Sequence, residues 1–335
     1  MKSYLFKDKD ECKKKYGLMS FWEVSIKTYT FKTKNELQDA VKLWFKDKEE
    51  CMKKYGHISF WDVSYVECMS WLFIFKKNFN EDISRWDVSN VRDMMHMFDD
   101  ATSFNGDVSG WALSSVTTNR AESMFNGATS FEGIGLETWD VSNLQDMGNM
   151  FRSTPNLNAD LSAWDVSNVH HMNSLFQESG FNGDISSWDV SNVTNMKNMF
   201  RYCHNFNQDL SSWDVSSVTD MSFMFTYAIG FNKDISNWNV SSVTDIRGMF
   251  YDAGSFNQDL SNWDVSSVTD MRNMFDNADS FDQDISDWDI SNVTRMGNMF
   301  NSANDLSGDN KCAIHTSFDS NSAWPYDWES FCSDE

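Results

Sequence analysis

Residues 213–236 read WDVSSVTDMSFMFTYAIGFNKDIS, and the same word recurs along the chain with small changes. Its tryptophan marks the period at Trp61, Trp86, Trp111, Trp139, Trp164, Trp188, Trp213, Trp238, Trp263 and Trp288. The spacings are 25, 25, 28, 25, 24, 25, 25, 25 and 25 residues. Self-similarity at such a period is the signature of stacked supersecondary units, because one unit alone cannot bury its apolar face.

Two local periods alternate inside the word. Trp213 and Val215 are two apart, as on one face of a strand. Met221, Met224, Phe225 and Ala228 follow at i, i+3, i+4 and i+7, which predicts about two turns of helix. The stripe repeats as Met196, Met199, Phe200, Cys203 and as Met271, Met274, Phe275, Ala278. Phe231 and Ile235 lead back to the next Trp. Each coil is thus expected to hold a short strand, a turn, a short helix and a return loop. Parallel strands of successive coils are expected about 4.8 Å apart. Every coil carries the Met and aromatic stripes, so they are core rather than a cofactor box. Cys203 takes the place of an Ala and is expected as a buried thiol.

The ends depart from the word. FKDKDECKKKYGLMSFWEVS (6–25) resembles FKDKEECMKKYGHISFWDVS (45–64), so the first segment holds a duplication that puts Cys12 and Cys51 in equivalent places. Thr33 and Glu36 fit a capping box, opening an amphipathic helix over 35–55. A shorter helix is expected at 3–16. The division is therefore a helical N-terminal cap at 1–56, about ten repeats at 57–303 and a C-terminal cap at 304–335, where Trp324, Pro325, Tyr326 and Trp328 supply an aromatic lid. Cys312 and Cys332 flank that tail as a plausible disulfide.

The chain has 335 residues and a net charge of −23, unevenly spread. Residues 1–56 carry 14 Lys/Arg against 9 Asp/Glu, and residues 57–335 carry 13 against 41, a balance of −28. So acidic a body repels nucleic acid and anionic membranes. The start, MKSYLFKDKDECKKKYG, lacks the apolar stretch of a secretory signal, and no apolar run is long enough to span a membrane.

Two rows of Asp run through the repeats: Asp62, Asp87, Asp140, Asp165, Asp189, Asp214, Asp264, Asp289 after the Trp, and Asp82, Asp107, Asp160, Asp184, Asp209, Asp234, Asp259, Asp284 before the Ile, Leu or Val. A catalytic pair must be singular, its two environments pushing the pKa values apart; carboxylates repeated eight times are expected to bond turn N–H groups, as Asx-turns do. Like charges about 4.8 Å apart repel by roughly 0.9 kcal/mol in water, so those bonds must offset a real cost. Calcium is the alternative neutraliser, although no EF-hand or nonapeptide motif is present. His170-His171 replaces Thr-Asp as a surface substitution. No metal-ligand spacing or cofactor fingerprint occurs, so no cofactor is expected.

The period breaks between Trp111 and Trp139, where WALSSVTTNRAESMFNGATSFEGIGLET gains three residues. Insertions in repeat proteins map to loops on one face, often the binding face. Asn119, Arg120, Glu122, Glu132 and Glu137 are the candidate interaction loop; a tolerated bulge is the plainer alternative.

At WDVSxVTDMxxMF and SFNxDLSxW the sequence resembles the BspA-type leucine-rich-repeat surface proteins, in the branch with 25-residue repeats. The resemblance covers residues 45–303, and YGHISFWDVS (55–64) and NKCAIHTSF…WPYDW (310–328) are similar to that family's end pieces. It implies a leucine-rich-repeat-like, right-handed solenoid of short parallel strands and short helices on surface or secreted proteins. It brings no catalytic residues. The expected function is a non-enzymatic surface, adhesion or protein-interaction module with a protein or glycan ligand and no membrane insertion. A structural or calcium-binding surface protein is the alternative, and a polysaccharide-active enzyme a more distant one. With no leader visible, a cytoplasmic location is the alternative to the cell surface.

Overall fold

The computed structural model describes residues 28–111, 113, 114, 116 and 121–332. The first element, α1 (Lys34–Lys46), is opened by Thr33, whose hydroxyl accepts the Glu36 N–H at 3.3 Å. The Glu36 carboxylate accepts from the Lys32 N–H at 2.9 Å, one residue earlier than a standard capping box requires. The single helix expected over 35–55 is broken at Asp47. That residue ends α1 and, with its side chain accepting the Glu50 N–H at 2.9 Å, starts α2 (Lys48–Tyr55). Leu37, Ala40, Val41, Trp44, Cys51 and Tyr55 of the two helices are buried. The helix expected at 3–16 lies outside the described residues.

From residue 57 the chain runs as a stack of coils. Among the described residues the expected short helix is absent from them. In the coil beginning at Trp213, the Met224 and Ala228 N–H groups bond Met221 O (3.2 Å) and Phe225 O (2.9 Å), three residues back rather than four. The Met221, Phe223, Phe225 and Tyr227 N–H groups instead bond Asp245, Arg247, Met249 and Tyr251 O of the next coil, at 2.8–3.0 Å. Phe223 and Tyr227 have φ of 58° and 56°. Two four-residue turns, 221–224 and 225–228, thus follow one another, each with its third residue left-handed, as in type II turns. The ends of both turns point inward, so two tandem turns bury positions 1, 4, 5 and 8. That is the same i, i+3, i+4, i+7 stripe a helix would bury.

The expected strands shrink as well. Among the described residues only isolated parallel bridges occur: Thr30 with Asp62, Cys68 with Asp93, and a run through Asp146, His171, Asn195, Asp220, Asp245, Asp270 and Arg295, so that only Asp62 lies on a Trp-x-Val segment. Side chains extend the coil-to-coil bonding. Thr219, Thr244, Thr269 and Thr294 each send N–H and hydroxyl to the carbonyl of the Thr one coil earlier. Asn182, Asn207, Asn232 and Asn257 each accept the N–H of the residue one coil later.

Between these layers lies the core. Trp213, Trp238, Trp263 and Trp288 stack with ring centroids 6.4–6.5 Å apart and planes within 7°. Their indole N–H groups bond carbonyls 28 residues back at 2.9–3.1 Å. Phe200, Phe225, Phe250, Phe275 and Phe300 form a second stack at 5.6–5.8 Å. Each such ring contributes roughly 1.5–3 kcal/mol through burial. Cys203 is buried, and its thiol donates to Phe176 O at 2.7 Å.

The last coil is covered. Trp324, Tyr326 and Trp328 pack on Phe300, and the Tyr326 hydroxyl accepts the Phe300 N–H at 2.7 Å. A helix the sequence word did not announce, α3 (Gly308–Phe318), starts at Ser307 and buries Ile314, His315 and Phe318. Its Cys312 is disulfide-bonded to Cys332, with Cα atoms 4.9 Å apart.

Candidate functional site

The tandem turns create a surface the sequence word hides. Two left-handed positions recur in every coil and form two rows. One row is Trp71, His96, Ser123, Asn149, Ser174, Asn198, Phe223, Gly248, Asn273, Asn298; the other is Phe75, Asp100, Gly127, Ser153, Glu178, Tyr202, Tyr227, Asp252, Asn277, Ser302. The non-glycine members have φ of 53–61°. In that region a Cβ crowds the following carbonyl, which Gly avoids and Asn or Asp tolerate. Small and polar occupants are therefore the cheap choice. Trp71, Phe75, Tyr202, Phe223 and Tyr227 break it, and bulky side chains in strained backbone cluster where a surface has work to do.

They form two patches. Near α1, Trp71 and Phe75 are 51% and 62% exposed, and Lys34 sits 5.6 Å from the Trp71 ring centroid. Further along, Tyr202 stacks on Tyr227 at 4.6 Å, and Tyr227 meets Tyr251 edge-on at 5.5 Å. Phe223 lies beside Gly248, where a Cβ would collide with its ring. The guanidinium groups of Arg201 and Arg247 are each 5.6 Å from the Phe223 centroid, within cation–π range. A third row, Asp220, Asp245 and Asp270 on the parallel bridges, reaches the rings through Arg247, which pairs with Asp245 at 3.4 Å. Asp270, only 3% exposed, bonds Arg272 Nη2 at 2.7 Å and Arg295 Nη1 at 3.2 Å. Burial alone would raise its pKa; the Arg272 bonds and the Arg295 charge outweigh it and hold the carboxyl low. Its neighbour Asp245 is pushed up by burial.

Of the candidate loop, Asn119 and Arg120 lie outside the described residues. Glu122 is half-buried, and desolvation followed by the charge of Asp146 raises its pKa. Glu132 and Glu137 are exposed and line one open depression of about 410 Å³ with Gly133, Ile134, Gly135, Asn158 and Asp160. The structure thus brings Glu132 and Glu137 to one cavity that does not include Glu122. In register with other coils, one of the three extra residues falls in 132–135 and two fall before Ala121. The opposite irregularity, the 24-residue spacing from Trp164 to Trp188, went unread. Phe176 is followed by Phe181 where other coils place Phe200 and Phe206 six apart. A second depression, about 510 Å³, opens there between Pro155, Glu178, Ser179, Gly180, Tyr202, His204 and Asn205.

The two expected Asp rows are Asx-turns. Each carboxylate accepts the N–H of the Ser two residues on, as Asp214 does from Ser216 (3.0 Å) and Asp234 from Ser236 (2.9 Å). At Asp160, Asp165, Asp214 and Asp264 the Ser hydroxyl and then its N–H hold the carboxyl below the usual range. At Asp184, Asp209, Asp234, Asp259 and Asp289 the N–H leads. Among the described residues no group of three or more His, Cys, Asp or Glu is placed to hold a metal ion, and no helix is long and apolar enough to cross a membrane.

The family model described as "Mycoplasma protein of unknown function, DUF285" matches residues 39–134, 119–232 and 205–312. The chain belongs to this family. The three tandem DUF285 matches overlap and together take in all ten coils, both aromatic patches and both depressions. Among solved structures, a leucine-rich repeat protein from Bacteroides ovatus ATCC 8483 is similar at 12% identity over 72% of this chain and 81% of that one. Its TM-score is 0.23, too loose an overlap to bear on the fold of this DUF285 chain. A comparison with curated proteins returns no match.

Proposed function

We propose that this chain is a leucine-rich-repeat-like, right-handed solenoid acting as a non-enzymatic interaction module at the cell surface, adhering through its turn face to a protein or glycan. One observation carries the reading: five large aromatic side chains occupy left-handed positions that the other coils give mostly to Asn, Ser, Asp or Gly, with His96 and Glu178 besides. Strain accepted for surface rings, exposed at Trp71 and Phe75 and half-buried at Tyr202, Phe223 and Tyr227, is explained by a ligand and not by the core, whose stacks are complete without them. The flanking guanidinium groups suit aromatic, carboxylate or hydroxyl-rich partners. The Cys312–Cys332 bond supports an oxidising compartment. The Asp rows, whose members already accept Ser N–H groups, support an architectural role for those carboxylates rather than calcium binding.

The test offers one extracellular extract to the immobilised full chain and to a variant with Trp71, Phe75, Tyr202, Phe223 and Tyr227 replaced by Asn. Asn is chosen because it already occupies both rows, at 273 and 277, and should leave the fold intact. Material held by the wild type and lost from the variant supports the reading. Equal capture by both refutes it.

A further inference from the structure

We propose that the depression at the shortened coil, beside Tyr202, is a binding site for one ring of a neutral pyranose glycan. The proposal deepens the interaction reading above and rests on it. The site exists because one residue is missing. Full-length neighbours place Thr154-Pro155-Asn156 on one side and Cys203-His204-Asn205 on the other, and Ser179-Gly180 between them is one residue shorter. Gly180 permits the close fit: a Cβ there would run into the Pro155 carbonyl oxygen.

The walls have the chemistry of a sugar site. The ring series ends at Tyr202: Tyr251 meets Tyr227 edge-on, Tyr227 stacks on Tyr202, and the next members of the row that holds Tyr227 and Tyr202 are Glu178 and Ser153. Tyr202, with Tyr227 on one face and the Arg201 guanidinium 5.1 Å from its ring centroid, borders the depression and offers its remaining ring surface to the C–H groups of a pyranose. Hydrogen-bonding groups surround that surface. Glu178 is exposed and held by Ser153 Oγ at 2.8 Å and Gln177 Nε2 at 3.1 Å, one on each carboxylate oxygen, which leaves a second acceptor site on each. His204 Nδ1 lies 3.0 Å from Tyr227 O. A carbonyl only accepts, so Nδ1 donates to it, which leaves Nε2 as the second polar atom of the ring. An orienting carboxylate, an imidazole nitrogen and the Asn205 amide suit a rim of hydroxyl groups better than the flat apolar rim a nonpolar ligand would need.

Charge narrows the class. A body balance of −28 and a carboxylate on the rim disfavour nucleotides and acidic sugars. A proline-rich peptide needs a longer run of aromatic walls than one terminal ring provides.

Saturation-transfer NMR on the full chain uses the methyl glycosides of glucose, galactose, mannose and N-acetylglucosamine as probes, with a proline-rich peptide as competitor. At least one glycoside is expected to receive saturation, with affinity near about 1 mM. Tyr202→Asn, which copies Asn277 in the same row, is expected to weaken it about tenfold. Inserting one Asn after Gly180, which restores 25 residues, is expected to abolish it, with melting of both variants close to wild type. No transfer to any probe, transfer that survives both changes, or displacement by the peptide would overturn the site. If the sugar arms fail while the five-residue Asn variant still loses its captured partner, only this site falls. If capture is also unchanged, the interaction reading falls with it.

Discussion

Replacing Asn273, Asn298 and Ser302 together by Gly, and in a second variant by Ala, separates tandem turns from a helix by the sign of the effect. The three residues have φ of 56°, 59° and 55°. In a left-handed position Gly is free of the Cβ–carbonyl clash that costs an L-residue roughly 1–2 kcal/mol. Its greater freedom in the unfolded chain returns about 0.4–1 kcal/mol of that advantage. The Gly variant should therefore exceed the Ala variant by roughly 0.5–1 kcal/mol per site, about 1.5–3 kcal/mol for three. Were the segment helical, Ala would win by about 1 kcal/mol per site, a swing of about 5 kcal/mol in the other direction. Urea unfolding of the full chain, followed by tryptophan fluorescence, reads this as a midpoint difference of roughly 1 M for a slope of about 2–3 kcal/mol/M. An Ala variant more resistant than the Gly variant would refute tandem turns.

Three further outcomes are expected. The lowered carboxyls of Asp160, Asp165, Asp184, Asp209, Asp214, Asp234, Asp259, Asp264 and Asp289 contribute stability above the unfolded value near 3.9, and it is lost as pH falls through the folded values. Melting temperature should hold steady from pH 7 to 5 and drop below about pH 4, while calcium or a chelator at pH 7 leaves it unchanged; a calcium-dependent rise of more than about ten degrees would instead make the Asp rows cation sites. Reducing Cys312–Cys332, which spans 20 residues, should cost the C-terminal cap about 3 kcal/mol, seen as earlier melting and faster proteolysis after Phe318. Cys203, buried and with its thiol pushed up to about 12, should react with a thiol reagent only on unfolding, and Cys203→Ala should be nearly neutral because Ala228, Ala253 and Ala278 fill the same place.

The period and the Asx role of the acidic rows were legible in the sequence because both depend on residue type at a fixed spacing. The coil's local shape was not. Met221, Met224, Phe225 and Ala228 fit a helix and two consecutive turns equally, since both bury positions 1, 4, 5 and 8. The deciding signal lay on the exposed side, in Asn149, Ser153, Asn198, Gly248, Asn273 and Asn277, residues that favour left-handed turns and lower helix propensity. Asp47 read as mid-helix because the apolar periodicity crosses it, although its side chain caps α2. For the site, attention to the long coil found Glu132 and Glu137 but passed over the short one. A missing residue leaves no new side chain to notice, only a gap between neighbours.

The left-handed backbone beneath the aromatic rows is the central claim, because it sets both the coil and the rings it displays. Backbone and Cβ chemical shifts across Met221–Ala228, with NMR assignment of the full chain, test it directly. The expected result is left-handed values at Phe223 and Tyr227 with non-helical residues between them. A continuous run of right-handed helical shifts from Met221 to Ala228 would contradict it.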